Sequence, residues 1–170
     1  MRYKNLFFLL FLLLTVSVCF SQKKNILVLF SYHPELGWNQ EIFSELEKEL
    51  NTSKYPVDIF YEYMDTKNII SKEYFAKLAE VYAMKYAKKV IDVIVCVDND
   101  ALDFLLEYRD VLFGEKPVVF LGINEFYPEM LKGKKGFTGV VESIDFKKTI
   151  DIALKLTPQI KRFLVYGDNS

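Results

Sequence analysis

The feature that most constrains this chain is the alternation of short apolar runs with segments of helical periodicity. Apolar runs of roughly four to eight residues are typical of strands that are covered on both faces. Most runs here are followed by a stretch in which apolar residues recur at helical spacing, which predicts an amphipathic helix. Repeated strand–helix units predict an α/β fold, Rossmann-like or flavodoxin-like, with a mostly parallel sheet and helices on both faces.

The boundaries of these elements follow from the apolar runs and from capping residues. Ser71, Asp100 and Asp145 are predicted to cap helices, because short polar side chains accept hydrogen bonds from the first helical N–H groups. Gly114 is predicted to end the third helix. The predicted strands are Asn25–Phe30, Val57–Tyr63, Asp92–Val97, Val118–Leu121, Thr138–Val141 and Arg162–Tyr166.

Polar residues follow the carboxyl end of most predicted strands. In a parallel sheet these ends share one edge, and ligands bind at that edge near the topological switch point. Hydroxyls, amides and carboxylates beside aromatic rings suit a polar small molecule, and helix N-termini suit an anionic group. The predicted ligand-binding residues are Ser31, Tyr32, His33, Trp38, Asp65, Thr66, Asp98, Asn99, Asp100, Asn124 and Glu142.

A purely structural interpretation competes at several of these positions. Asp and Asn after strands commonly serve as caps and turn residues, which applies to Asp65 with Thr66 and to residues 98–100. His33, beside a proline, also fits an ordinary loop histidine. Trp38 fits packing at the first helix as well as stacking on a ligand ring.

Catalytic, metal and cofactor signatures are missing from the sequence. It contains no G-x-S-x-G elbow, no P-loop and no dinucleotide fingerprint after the first strand. His33 is the only histidine, and Cys96 lies in an apolar run and is predicted to be a buried core residue. We therefore expect no enzyme, no metal and no cofactor. An Asp98–Asp100 pair holding Mg²⁺, or His33 acting with one of these carboxylates, are the alternatives.

The N-terminus reads as a secretory signal peptide covering residues 1–21. Arg2 and Lys4 precede an apolar stretch from Leu6 to Val18, and small residues at Cys19 and Ser21 suit cleavage after Ser21. The alternatives are retention as a membrane anchor and lipidation at Cys19, for which the preceding Val18 is a poor fit. The stretch is short for a span of the bilayer. We expect export to the periplasm or cell envelope, with membrane contact only through this segment.

Composition bounds the remaining classes of protein. Cleavage would remove two basic residues and no acidic one, so the net charge of −1 would become −3. With no basic stripe along the sequence, we expect no nucleic-acid partner. The one cysteine of the mature chain cannot form an intramolecular disulfide. Residues 22–170 are predicted to form one domain.

Four segments together resemble a known family. In order and spacing they are similar to the ABC-transporter substrate-binding-protein-like family of type 1 periplasmic binding folds, over Lys24 to Ser170. The segments are Val28–Pro34, Glu62–Lys67, Pro117–Asn124 and Thr138–Glu142.

This resemblance implies two lobes that close on a ligand, of which the chain supplies the N-terminal lobe while the C-terminal lobe is missing. The predicted strand-end loops would line one wall of the cleft. The implied function is extracytoplasmic solute binding, with an ABC permease or a signalling protein as partner. The alternatives are a ligand-sensing input region of a membrane histidine kinase and a truncated, non-functional fragment.

Overall fold

The computed structural model describes residues 23–143 and 145–166. The predicted signal peptide and residues 167–170 lie outside the described residues. The strands are β1 (Lys24–Phe30), β2 (Val57–Tyr63), β3 (Val93–Val97), β4 (Val118–Ile123) and β5 (Phe137–Val141). The helices are α1 (Gly37–Asn51), α2 (Lys72–Tyr86), α3 (Asn99–Phe113) and α4 (Phe146–Leu156), with a short 3-10 helix at Pro128–Leu131.

All five strands run parallel in one sheet, in the order β2-β1-β3-β4-β5. This is the flavodoxin-like order of doubly wound folds, so the predicted α/β class is confirmed. The connection from β1 leads outward to β2, and the chain then crosses back to β3 on the other side of β1. The topological switch point therefore lies between the carboxyl ends of β1 and β3.

Two apolar layers cover the sheet. On one face, Ile26, Val28 and Phe30 of β1 pack with β3 residues against the apolar stripe of α1. On the other face, Leu27 and Leu29 belong to a larger cluster shared with α2 and α3. The last five residues of β1 are all buried, as expected for a strand that is covered on both sides.

The helix caps agree with the sequence at three positions and differ at one. Gly114 is the C-cap of α3, as predicted. The Ser71 side chain accepts a hydrogen bond from the Tyr74 N–H at 3.1 Å, and Asp145 accepts from the Lys148 N–H at 2.8 Å. The prediction that Asp100 caps the third helix was wrong. Asp98 is the N-cap of α3 because its carboxylate accepts from the Asn99 N–H, which places Asp100 in the first turn.

The predicted strand Arg162–Tyr166 was also wrong. These residues have no regular structure, and no strand within residues 23–143 and 145–166 pairs with them. β-propensity yields a strand only where a ladder partner and a covering surface are available. Leu164 and Tyr166 are 94% and 97% exposed, so this apolar segment has neither.

Among the described residues, no helix is long and apolar enough to cross a membrane.

Candidate functional site at the carboxyl edge of the sheet

Ser31 joins four elements at the switch point. Its hydroxyl donates to the Val97 carbonyl at 3.0 Å and accepts from the Ala101 N–H at 2.9 Å. Its own carbonyl accepts from the Thr66 N–H at 2.9 Å. The side chain is fully buried with its hydrogen bonds satisfied. Ser31 therefore holds the strand ends and the start of α3 together from behind the surface.

Thr66 connects the end of β2 to the first turn of α3. Its Oγ1 lies 2.6 Å from Oδ2 of Asp100 and 2.9 Å from the Ser31 carbonyl. Thr66 is buried, whereas Asp100 is only partly buried. The partly exposed carboxylate is thus oriented from below by a buried hydroxyl and remains accessible at the edge.

Tyr32, Asp98 and Lys67 form a second cluster beside it. Burial raises the pKa of Tyr32 above its ordinary value, and the nearby Asp98 carboxylate adds to this shift. The Lys67 ammonium lies 4.6 Å from the centre of the Tyr32 ring, within the range of a cation–π contact. Burial also raises the pKa of Asp98, against the opposing effect of the Asn99 N–H. The cluster thus combines the Tyr32 phenol, the desolvated Asp98 carboxylate and the long cationic side chain of Lys67 above the Tyr32 ring.

The backbone at this edge is held in an uncommon conformation. Asp65, Asp98 and Glu125 have φ values of 55°, 76° and 50°, and they are the non-glycine residues with positive φ in the described part of the chain. Each follows a different strand at the carboxyl edge. Left-handed backbone costs free energy in non-glycine residues, and such conformations concentrate at functional sites. Three acidic residues of this edge therefore have a backbone conformation that normally favours glycine.

His33 and Asp65 face each other across the ends of β1 and β2. His33 Nδ1 lies 3.6 Å from Asp65 Oδ1, which is too long for a hydrogen bond. In the described part of the molecule Nδ1 is buried and has no hydrogen-bond partner. The pair is close enough for electrostatic attraction when the imidazole is protonated.

Asn99 and Asn124 pair reciprocally between α3 and the end of β4. The Asn99 amide donates to the Asn124 carbonyl at 3.0 Å, and the Asn124 N–H donates to Asn99 Oδ1 at 2.9 Å. These bonds fix the loop after β4. The Asn124 side chain is exposed and takes part in neither bond, so it is available at the edge.

Trp38 and Glu142 lie at the margins of the site. The Trp38 ring packs over Gly122 so closely that a β-carbon there would overlap the indole. Packing therefore accounts for the position of the indole, which is partly buried. Glu142 is exposed, and its backbone N–H donates to the Ile123 carbonyl at 2.9 Å.

Lys67 is the functional candidate that the sequence interpretation missed. It follows Asp65 and Thr66 directly, so its position after β2 was the available signal. Only the folded arrangement places it over the Tyr32 ring from another strand.

A cavity of about 450 Å³ opens beside this edge, between the start of α1 and the end of β2. Tyr63 and Phe43 form apolar parts of its lining, together with Pro34, Asn39, Gln40 and Ser44. The lining carries no charged side chain. Neither Asp98 nor Asp100 is among the residues that line the cavity.

The edge gathers acidic side chains around a small number of cationic and aromatic groups. It carries the carboxylates of Asp65, Asp98 and Asp100, the ammonium of Lys67 and the imidazole of His33. Within residues 23–143 and 145–166, no group of three or more His, Cys, Asp or Glu side chains is arranged to hold a metal ion. Carboxylates, a phenol and amides around a shallow edge are able to receive cationic and hydrogen-bond-donating groups.

No family model and no curated protein matches this sequence. The fold alone therefore assigns this chain to a class, that of flavodoxin-like α/β domains.

Proposed function

We propose that this chain is a small-molecule-binding lobe of an exported protein, and that the ligand contacts the carboxyl edge of the sheet. The predicted signal peptide motivates export, and the resemblance to periplasmic substrate-binding proteins motivates the role of one lobe. The observation that carries the binding proposal is the convergence of Tyr32, Lys67, Asp98 and Asp100 from three separate segments beside the switch point. Doubly wound folds bind ligands at this place.

The charges at the edge favour a ligand that carries an amino group or several hydroxyls. Asp98 and Asp100 supply acceptors, and the Tyr32 ring supplies a flat apolar surface. An anion would meet the Asp98 and Asp100 carboxylates at close range, with Lys67 as its counter-charge. Transport and sensing both begin with this binding step.

A thermal-shift screen of the full chain tests the proposal with amines, amino acids, sugars and small anions. A ligand at tenfold its dissociation constant stabilises the native state by about 1.4 kcal/mol. For a domain of this size the melting temperature should rise by about 3–6 °C. The expected result is a shift with one cationic or polyhydroxyl class.

The matched variants are Asp100→Asn and Asp58→Asn. Both exchange one carboxylate for an amide, but Asp58 lies at the start of β2, far from the carboxyl edge. The ligand-induced shift should be lost in the first variant and kept in the second. Equal shifts in both variants, or no shift with any class of compound, would refute binding at this edge.

A further inference from the structure

The opposite edge of the sheet has the opposite charge. The segments that lead into the five strands are residues 23, 52–56, 87–92, 114–117 and 132–136, and they contain eight lysines and two acidic residues. The segments that follow the strands, residues 31–36, 64–71, 98, 124–127, 142–143 and 145, contain six acidic residues and one lysine. The lysines are scattered along the chain, and the parallel sheet collects them at its amino edge.

Hydrogen bonds hold these segments side by side. The Lys24 N–H donates to the Pro56 carbonyl at 3.0 Å, and the Asn25 side chain donates to the Val90 carbonyl at 2.7 Å. Buried Arg109 donates to the carbonyls of Lys116 and Lys135 at 3.2 and 2.7 Å. The lysines of these five lead-in segments therefore lie along one edge of the sheet, which we call the lysine edge: Lys23, Lys54, Lys88, Lys89, Lys116, Lys132, Lys134 and Lys135. Two of them have acidic neighbours, because Lys23 pairs with Asp58 and Lys134 Nζ lies 3.9 Å from Asp110 Oδ2.

Apolar side chains interrupt the lysine edge. Tyr55 follows Lys54 and is 58% exposed, and Val90 follows Lys88 and Lys89 and is 65% exposed. Lysines beside an exposed tyrosine and an aliphatic side chain match the interface of a bilayer, where tyrosine is enriched and an apolar group enters the headgroup region. The solvated phosphate backbone of a nucleic acid, by contrast, offers no apolar environment for the Val90 side chain.

The N-terminal segment of the sequence is attached to the domain at the same edge. β1 begins at Lys24, so residues 1–22, with their apolar stretch from Leu6 to Val18, join the domain at the lysine edge.

We propose that the lysine edge docks on an anionic membrane surface and turns the carboxyl edge away from it. Each lysine near an anionic bilayer contributes about fivefold in binding constant. The attraction is screened within about 8 Å at physiological salt. This contact would come in addition to that of the N-terminal apolar stretch, through which alone the sequence predicted contact with the membrane.

The test is co-sedimentation of the full chain with two kinds of vesicle, phosphatidylglycerol mixed with phosphatidylcholine and pure phosphatidylcholine. The N-terminal segment carries Arg2 and Lys4 and also favours anionic vesicles, so the lysine edge is reported by the change in the ratio of the two partition coefficients between the wild-type chain and the test variant. The test variant is Lys54→Gln/Lys88→Gln/Lys89→Gln. The control is Lys72→Gln/Lys147→Gln/Lys148→Gln, which removes the same charge from the first turns of α2 and α4 at the carboxyl edge.

The wild-type chain should prefer anionic vesicles, and added salt should weaken this preference. In the test variant the ratio of the anionic to the neutral partition coefficient should fall at least tenfold, and in the control variant it should not change. Val90→Ser should lower partitioning into anionic vesicles a few-fold at constant charge. Thermal melts should show both triple variants folded, because all six lysines are exposed.

Three results would overturn the proposal. The first is equal partitioning of the wild-type chain into both kinds of vesicle, and the second is an equal fall of the ratio in the test and control variants. The third is tight binding of a labelled oligonucleotide that requires Lys54, Lys88 and Lys89, combined with a vesicle ratio that does not depend on them. The last result would assign the lysine edge to nucleic acid.

Discussion

Single residues at the carboxyl edge act through backbone conformation as much as through their side chains. Gly122 has a φ of 69°, and its missing side chain leaves the space that the Trp38 ring occupies. The sequence showed a glycine at the end of a predicted strand, which is compatible with a simple turn. Its contact with a tryptophan more than eighty positions earlier became visible only in the folded chain.

Gly122→Ala should lower the free energy of unfolding by about 2–5 kcal/mol. Left-handed backbone costs alanine about 1–2 kcal/mol, and displacement of the indole adds about 1–3 kcal/mol. Gly133→Ala is the matched control, because its φ is 79° and no atom lies within 4 Å of the added β-carbon. Urea unfolding measures both. Equal losses would show that Trp38 does not restrict Gly122.

At the scale of elements, the site depends on the hydrogen bonds that join β1, β2, β3 and α3. Ser31 and Thr66 were predicted as ligand contacts from their position after strands. The structure shows Ser31 fully buried and bonded to Val97 and Ala101. Buried polar groups of this kind align the strand ends, whereas Tyr32 and Asp100 are more exposed at the edge.

Ser31→Ala should destabilise the fold by about 1–3 kcal/mol, because the buried Ala101 N–H loses its acceptor. Ser53→Ala is the control. Ser53 lies in the exposed turn after α1 and accepts from the Tyr55 N–H at 3.2 Å, so its loss should cost less than about 0.5 kcal/mol. Chemical denaturation of the two variants checks the difference. A Ser31 variant as stable as the Ser53 variant would contradict the joining role.

α4 shows the limit of local pattern at this scale. Asp145 caps it as the sequence predicted, and Phe146, Ile150 and Leu154 recur on one face. No residue of α4 is buried in the structure, and Phe146 is 61% exposed. Periodicity predicts that a helix forms and which face is apolar, but it does not say what that face contacts.

For the whole molecule, the two edges of the sheet differ in how their carboxylates titrate. At the carboxyl edge, burial raises the pKa of Asp98 and of Asp103 above the ordinary 3.8. At the amino edge, the Asn25 N–H and then Lys24 lower the pKa of Asp92. The Asn25 N–H lies 2.9 Å from the Asp92 carboxylate.

These opposite shifts predict a maximum of stability near the ordinary carboxylate pKa of 3.8. A raised folded-state pKa contributes stability that is complete below about 3.8 and is lost as the pH rises through that pKa. A lowered pKa contributes stability above about 3.8 that is lost as the pH falls through it. The free energy of unfolding, from urea titrations between neutral and acidic pH, should rise on acidification and then decline.

Two variants separate the arms of this profile. Asp98→Asn/Asp103→Asn should flatten the neutral arm, and Asn at position 98 keeps a capping side chain that tolerates positive φ. Asp92→Asn should flatten the acidic arm. A profile that does not change in either variant would show that other groups control the pH dependence.

The sequence alone determined the α/β class, the five parallel strands to within a few residues and three helix caps, because periodicity and capping depend on neighbours along the chain. It placed Tyr32, Asp98 and Asp100 correctly after their strands. Only the tertiary structure decided that Ser31 lies behind the site, that Lys67 covers Tyr32, that Arg162–Tyr166 forms no strand, and that scattered lysines share one edge. Those properties depend on contacts between distant segments, which local pattern does not encode.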